Sequence, residues 1–284
     1  MGYKIDNPYK IKASYFSEGE NHEAKFMPTD ELKKGDILLA RKLQFKDLSW
    51  QQQLATNIFG KLVTSDTTLT HAPISWAQMP TKTYYNTVHA AIATGVNDEI
   101  LEVAGKGKKQ ATVHGLFLVY RFNGSGLMID GDLLEVLGIL QPKMKLDAVE
   151  LIPFVEKIAE LIPEYIYKEA SIAMENPGHY GLLNGIKTVF TKLPGEFDPK
   201  EMKTDINQDN MICSEFVSQI INIAYRRAIL EVFEMDENGK YDQRVRLLPD
   251  NTDRVLPGRL HYIMQNVQKK SWTLEGYITD LPHN

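Results

Sequence analysis

The stretch Asp209-Asn210-Met211-Ile212-Cys213-Ser214-Glu215-Phe216-Val217 decides how the rest of the chain is read. Beyond it, Phe216, Val217, Ile220, Ile221, Ala224 and Ala228 recur at helical spacing, which predicts a helix from Ile212 to Phe233 with one apolar face. Asp209 and Asn210 are good N-caps, and they put Cys213 in the first helical turn. Unpaired backbone N–H groups and the helix dipole favour a thiolate there. The expectation is an accessible thiol with a pKa below ~8.5, the ordinary cysteine value. The plainer alternative is a small buried hydrophobe, which a free cysteine often is. Cys213 is the one cysteine of the 284 residues, so no intrachain disulfide can form.

A thiolate nucleophile needs an imidazole beside it, and often a third group to orient the ring. The candidates are His22, His71, His89, His114, His179, His261 and His283. His22 and His283 lie in polar terminal stretches. His114 precedes a strand, His179 is in a loop and His261 in a late helix, and none of these positions is distinctive. His89 differs, because it opens the run Val88 to Thr94 (VHAAIAT), where small alanines leave room for another element. The next run, Glu99 to Ala104 (EILEVA), holds Glu102 among apolar residues. Gly95-Val96-Asn97-Asp98 joins the two as a hairpin. Cross-strand Cβ atoms in such a pair stand about 4.5–5.5 Å apart, so Glu102 can reach His89. Spacing therefore permits Cys213, His89 and Glu102 as nucleophile, base and orienter.

The remaining chain reads as one α+β domain. Lys33-Lys34-Gly35-Asp36 is a turn that leads into Ile37-Leu38-Leu39-Ala40, a buried strand. Ser49 to Ile58 (SWQQQLATNI) reads as a short helix. Residues 60–87 read as a long loop over the cleft, with Trp76, Met79, Tyr84 and Tyr85 either holding substrate or pinning the loop to the body. Gly115 to Phe122 is a third strand of an antiparallel sheet. Residues 131–174 have helical spacing, and Pro153 and Pro163 are expected to divide it. Gly105-Lys106-Gly107-Lys108-Lys109 lacks the phosphate-loop pattern and reads as a solvated basic turn. Arg226 and Arg227 read as the exposed side of the long helix, and residues 192–210 as polar loop.

Composition excludes several classes. Hydrophobic residues make up 43% and charged residues 24%, which is ordinary globular usage. A net charge of −5 gives no global attraction to nucleic acid. HExxH and paired CxxC motifs are absent, so no zinc centre is indicated and no cofactor is expected. Met1-Gly2-Tyr3-Lys4-Ile5-Asp6 contains no apolar run, and Asp6 breaks the myristoylation pattern. No stretch approaches the ~18 apolar residues of a spanning helix. A cytoplasmic or signal-less secreted protein is expected.

These blocks resemble the circularly permuted papain-like amidases of the NlpC superfamily, in particular the YiiX/YaeF-like group. Lys34 to Leu39 is similar to that family's Gly-Asp-Ile strand, Gln51 to Thr56 to its short helix, and Val88 to Ile92 to its histidine strand. Ile100 to Gly105 is similar to its glutamate strand, Ile212 to Val217 to its Tyr-Cys-Ser-Glu-Leu-Val helix start, and Val255-Leu256-Pro257 to its closing element. The order, histidine before cysteine, reverses papain's. Val88 stands where the family usually has serine, and the 60–87 loop is long. The resemblance implies a permuted papain-like fold, an antiparallel sheet packed against helices with the nucleophile at a helix N-terminus. It implies a catalytic domain over residues 31–265, with a polar arm at 1–30 and a tail at 266–284. It also implies a Cys213–His89–Glu102 hydrolase of an amide or ester bond, acting through a thioester on a peptide, amide-linked or lipid-like acyl substrate. An acyltransferase, a protein deamidase and a binding protein that keeps the fold without turnover are the alternatives.

Overall fold

Strand β1, Ile37–Arg41, is buried on both faces, and Ile37 to Ala40 are accordingly apolar on both, with buried Arg41 at its end. In the computed structural model, which describes residues 25–41, 84, 87–104, 107–127, 129, 148–175, 212–234, 245–248 and 255–279, it lies inside a six-stranded sheet. The other strands are β2 (Thr87–Ala93), β3 (Glu99–Ala104), β4 (Gly107–Thr112), β5 (Leu116–Phe122) and β6 (Trp272–Thr279). Their spatial order is β4-β3-β2-β1-β5-β6, and every neighbouring pair is antiparallel. Ile37 and Leu39 join one core with Ala90, Ile92, Leu101 and Val103. Leu38 and Ala40 join a second core on the opposite face with Ala91, Ile100, Phe117 and Met27. That split is the two-residue period of a pleated strand.

Two long helices cover the first face. Helix α1 is Ala148–Met174 and α2 is Cys213–Val232. All six residues of the apolar stripe that defined α2 from sequence are buried in this core, where they meet Ile158, Ile162, Ile166 and Ala170 of α1. A short helix, α3 (Pro257–Tyr262), runs into a π-helical turn, Ile263–Val267. The fold is thus α+β, an antiparallel sheet packed with helices. Among the described residues no helix is long and apolar enough to cross a membrane.

Several expectations are corrected. Pro153 and Pro163 do not divide α1, which is one helix of 27 residues. The Gly35 turn, at φ +78°, packs so closely on α1 that a Cβ on Gly35 would come within 2.3 Å of the Pro163 carbonyl oxygen. Only part of the basic stretch is a turn candidate, because Gly107 onward pairs with β3 as an edge strand. The C-terminal stretch is more than a tail: β6 pairs with β5 along its length. The end of the N-terminal arm is docked as well. Met27 N–H donates to Tyr277 O at 2.8 Å, Tyr277 N–H donates to Lys25 O at 2.7 Å, and Met27 and Leu32 are buried. The expected helix at Ser49 to Ile58, the 192–210 loop and all of the 60–87 loop except Tyr84 and Thr87 lie outside the described residues.

Candidate active site

Cys213 is the first residue of α2, as expected, although the capping differs. Ile212, in extended conformation, is the N-cap, and Asp209 and Asn210 lie outside the described residues. The neighbouring residues fix this helix start. Glu215 reaches back and accepts the Ile212 N–H at 2.9 Å. That is half of a capping box, and it puts a carboxylate at the positive end of the helix. The buried Ser214 hydroxyl donates to the Val255 carbonyl at 2.5 Å, which ties the helix start to the segment ahead of α3.

His89 sits on β2 opposite Ala40, and Glu102 sits on β3 opposite Ala91. The two are therefore diagonal neighbours on adjacent strands. His89 Nε2 and Glu102 Oε2 are 2.6 Å apart. The Cys213 side chain lies close enough to the His89 ring to act on its charge. Of the three residues predicted from sequence, His89 and Glu102 are in direct contact and Cys213 is their neighbour.

The electrostatics follow from burial and charge. Burial alone depresses the His89 pKa, but the electrostatic influence of neighbouring Cys213 and Glu102, with the Glu102 hydrogen bond, raises it well above the ordinary value. For Glu102, burial acts to raise the pKa. The His89 charge and hydrogen bond, with smaller help from His114 and Lys109, outweigh it and lower the carboxyl's pKa. Both shifts favour an imidazolium against a carboxylate. The expectation of an accessible thiol is corrected: Cys213 and Glu102 are 0% exposed and His89 3%. Helix α2 packs across β2 and β3, and the Ser214–Val255 bond holds its first turn down.

Two groups near the site escaped sequence reasoning. Lys109 lies directly opposite Glu102 in the β3–β4 register, and its Nζ stands 3.1 Å from Glu102 Oε1. A signal was present, since Lys108 and Lys109 follow a predicted strand closely enough to pair back on it, but the glycines pointed to a turn. His261 is buried and enclosed in polar contacts. Its Nδ1 is 2.8 Å from Thr87 Oγ1 and 3.3 Å from Arg41 Nη1, and its Nε2 is 2.9 Å from Tyr120 OH. Burial, then the Arg41 charge, push its pKa well below the ordinary value, so it is a neutral ring. Tyr84 packs against it with ring centroids 4.4 Å apart and the rings tilted, and accepts a hydrogen bond from Asn266, so this member of the 60–87 loop pins chain to body. His114 bonds the Thr112 carbonyl beside β4, and Arg227 pairs with Glu169 of α1 rather than facing solvent alone. Among the described residues no group of three or more His, Cys, Asp or Glu side chains gathers as metal ligands do.

No family model matches this chain, and neither the curated proteins nor the solved structures contain a match.

Proposed function

We propose that this chain is a cysteine hydrolase of the amidase or peptidase type, built as a permuted papain-like fold and acting on an amide or ester through a thioester acyl-enzyme. The observation that carries the proposal is the convergence on His89 of Glu102 Oε2, at 2.6 Å, and the side chain of Cys213 at the start of α2. Structural cysteines in apolar cores do not require a buried, carboxylate-paired imidazole. The order of sequence blocks that resembles the NlpC superfamily points the same way.

Glu102 occupies Nε2, which leaves Nδ1 to serve Cys213. The thiolate attacks the substrate carbonyl, and backbone N–H groups of the first turn of α2 receive the oxyanion. The imidazolium gives its proton to the leaving amine or alkoxide as the C–N or C–O bond breaks. Neutral His89 then takes a proton from water, hydroxide adds to the thioester, and the carboxylic acid leaves as the thiolate reforms. Glu102 holds the ring and stabilises its cationic form throughout. Because Cys213 is fully buried, substrate reaches it only when the site opens.

That burial is also the one observation favouring a second reading, a protein that keeps the arrangement for binding without turnover. Quenched-flow intact mass separates the two. The chain is incubated with a panel of activated esters and peptide amides and quenched in acid. A hydrolase gives an acyl adduct on Cys213 that hydroxylamine removes and Cys213→Ala abolishes. Turnover that survives Cys213→Ala contradicts the proposal.

A further inference from the structure

Glu102 is a fully buried carboxylate, and its two oxygens face different cations. Oε2 is hydrogen-bonded to His89 at 2.6 Å, and Oε1 faces the Lys109 ammonium at 3.1 Å as an ion pair without hydrogen-bond geometry. The terminal torsion of a glutamate is broad and roughly two-fold, so one partner alone does not fix the carboxylate plane. Two partners on opposite oxygens do. Lys109 is placed for this by β-sheet register, since it is the residue directly across from Glu102. Its side chain is 49% exposed, so the stem spans from a buried carboxylate to solvent.

We propose that Lys109 is a positioning residue, which clamps Glu102 in the orientation that presents Oε2 to His89. The inference rests on the reading of His89 and Glu102 as base and orienter. Charge alternation supports it: the buried Glu102 carboxylate lies between the His89 ring and the Lys109 ammonium, so cation and anion alternate across β2, β3 and β4. An uncompensated buried charge is costly. Among the described residues the groups facing Glu102 are His89 from β2, Lys109 from β4 and His114 just beyond β4, with Cys213 of α2 acting through His89. Lys108, one place earlier, pairs with Val103 instead. The competing explanation is that Lys109 only guards a sheet edge, as edge lysines commonly do. An edge guard has no reason to affect how Glu102 titrates.

The test uses the full chain with ¹³C-labelled glutamate and follows the Glu102 carboxyl by NMR against pH, in the wild type, Lys109→Met and Lys109→Arg. Clamping predicts that the Glu102 midpoint rises by roughly one pH unit in Lys109→Met and returns to within about 0.3 of wild type in Lys109→Arg. It also predicts that acyl-enzyme formation slows roughly 3- to 30-fold in Lys109→Met, with Lys109→Arg within about 2-fold of wild type. If Lys109→Met fails to fold, Lys109→Gln is read the same way. An unmoved Glu102 midpoint overturns the proposal, as does a Lys109→Arg variant that behaves like Lys109→Met. The titration does not depend on turnover. A shifted midpoint with no acyl-enzyme in the wild type sinks the hydrolase and leaves the clamp standing, and an unmoved midpoint with a normal acyl-enzyme does the reverse.

Discussion

Three consecutive residues at the start of α2 have three different jobs. Cys213 presents sulfur to His89, Ser214 anchors the turn to Val255, and Glu215 caps the Ile212 N–H. The proposed division of labour predicts that His89→Ala slows turnover about 10²- to 10⁴-fold, while Glu102→Gln, which keeps the base, costs less. Steady-state rates on whichever substrate acylates Cys213 check this, with His114→Ala as a control expected near wild type. The two buried histidines give opposite pH signatures. His261 has a depressed pKa, so the unfolded chain binds a proton that the folded chain refuses, and stability falls as pH drops below about 6.5. His89 has a raised pKa of about 10, so its contribution is complete below the ordinary value of 6.5 and is lost as pH climbs toward 10. Thermal unfolding between pH 5 and pH 10 should lose its decline between about 6.5 and 5 in His261→Gln, and its alkaline decline in His89→Ala.

At the scale of elements, the helix that carries the cysteine was legible because its apolar stripe has one period over 20 residues. The hairpin was legible because its turn residues, Gly95 and Asn97, both adopt the positive φ that such turns need. The prolines of α1 misled for a physical reason. A proline forfeits one helical hydrogen bond locally, but α1 buries Ile158, Ile162, Ile166 and Ala170 against α2 and the sheet, and that packing outweighs it. Strand β4 was hidden because an edge strand with exposed Lys109 and Gln110 has no apolar alternation to read. His261 was hidden because nothing local distinguishes it: its partners Thr87 and Tyr120 are 174 and 141 residues away. Two substitutions test this level. Ser214→Ala should cost about 1–3 kcal/mol, since it leaves the Val255 carbonyl without its buried donor, and denaturant unfolding measures it. Gly35→Ala combines a positive φ with a Cβ driven into the Pro163 carbonyl, and should cost about 2–4 kcal/mol by the same measurement.

At the scale of the molecule, one edge of the sheet is built by segments far apart in the chain, β6 and residues 25–27. Residues 25–27 run along β6, and Gly276 is small enough to let them, because a Cβ there would lie 2.4 Å from the Lys25 carbonyl oxygen. This long-range pairing had no local signature in the sequence, which is why these stretches read as arm and tail. The same architecture brings β2, β3 and the start of α2 together around one buried sulfur, and the central claim is that this sulfur is a nucleophile. The most direct test is iodoacetamide labelling of the folded wild-type chain, read by intact mass and peptide mapping, beside His89→Ala at the same pH. The claim predicts one carboxamidomethyl group, on Cys213, added to the native protein below the unfolding transition, and at least about a tenfold slower reaction in His89→Ala. Labelling that appears only on denaturation, with wild type and His89→Ala indistinguishable, would contradict it and make Cys213 a core residue.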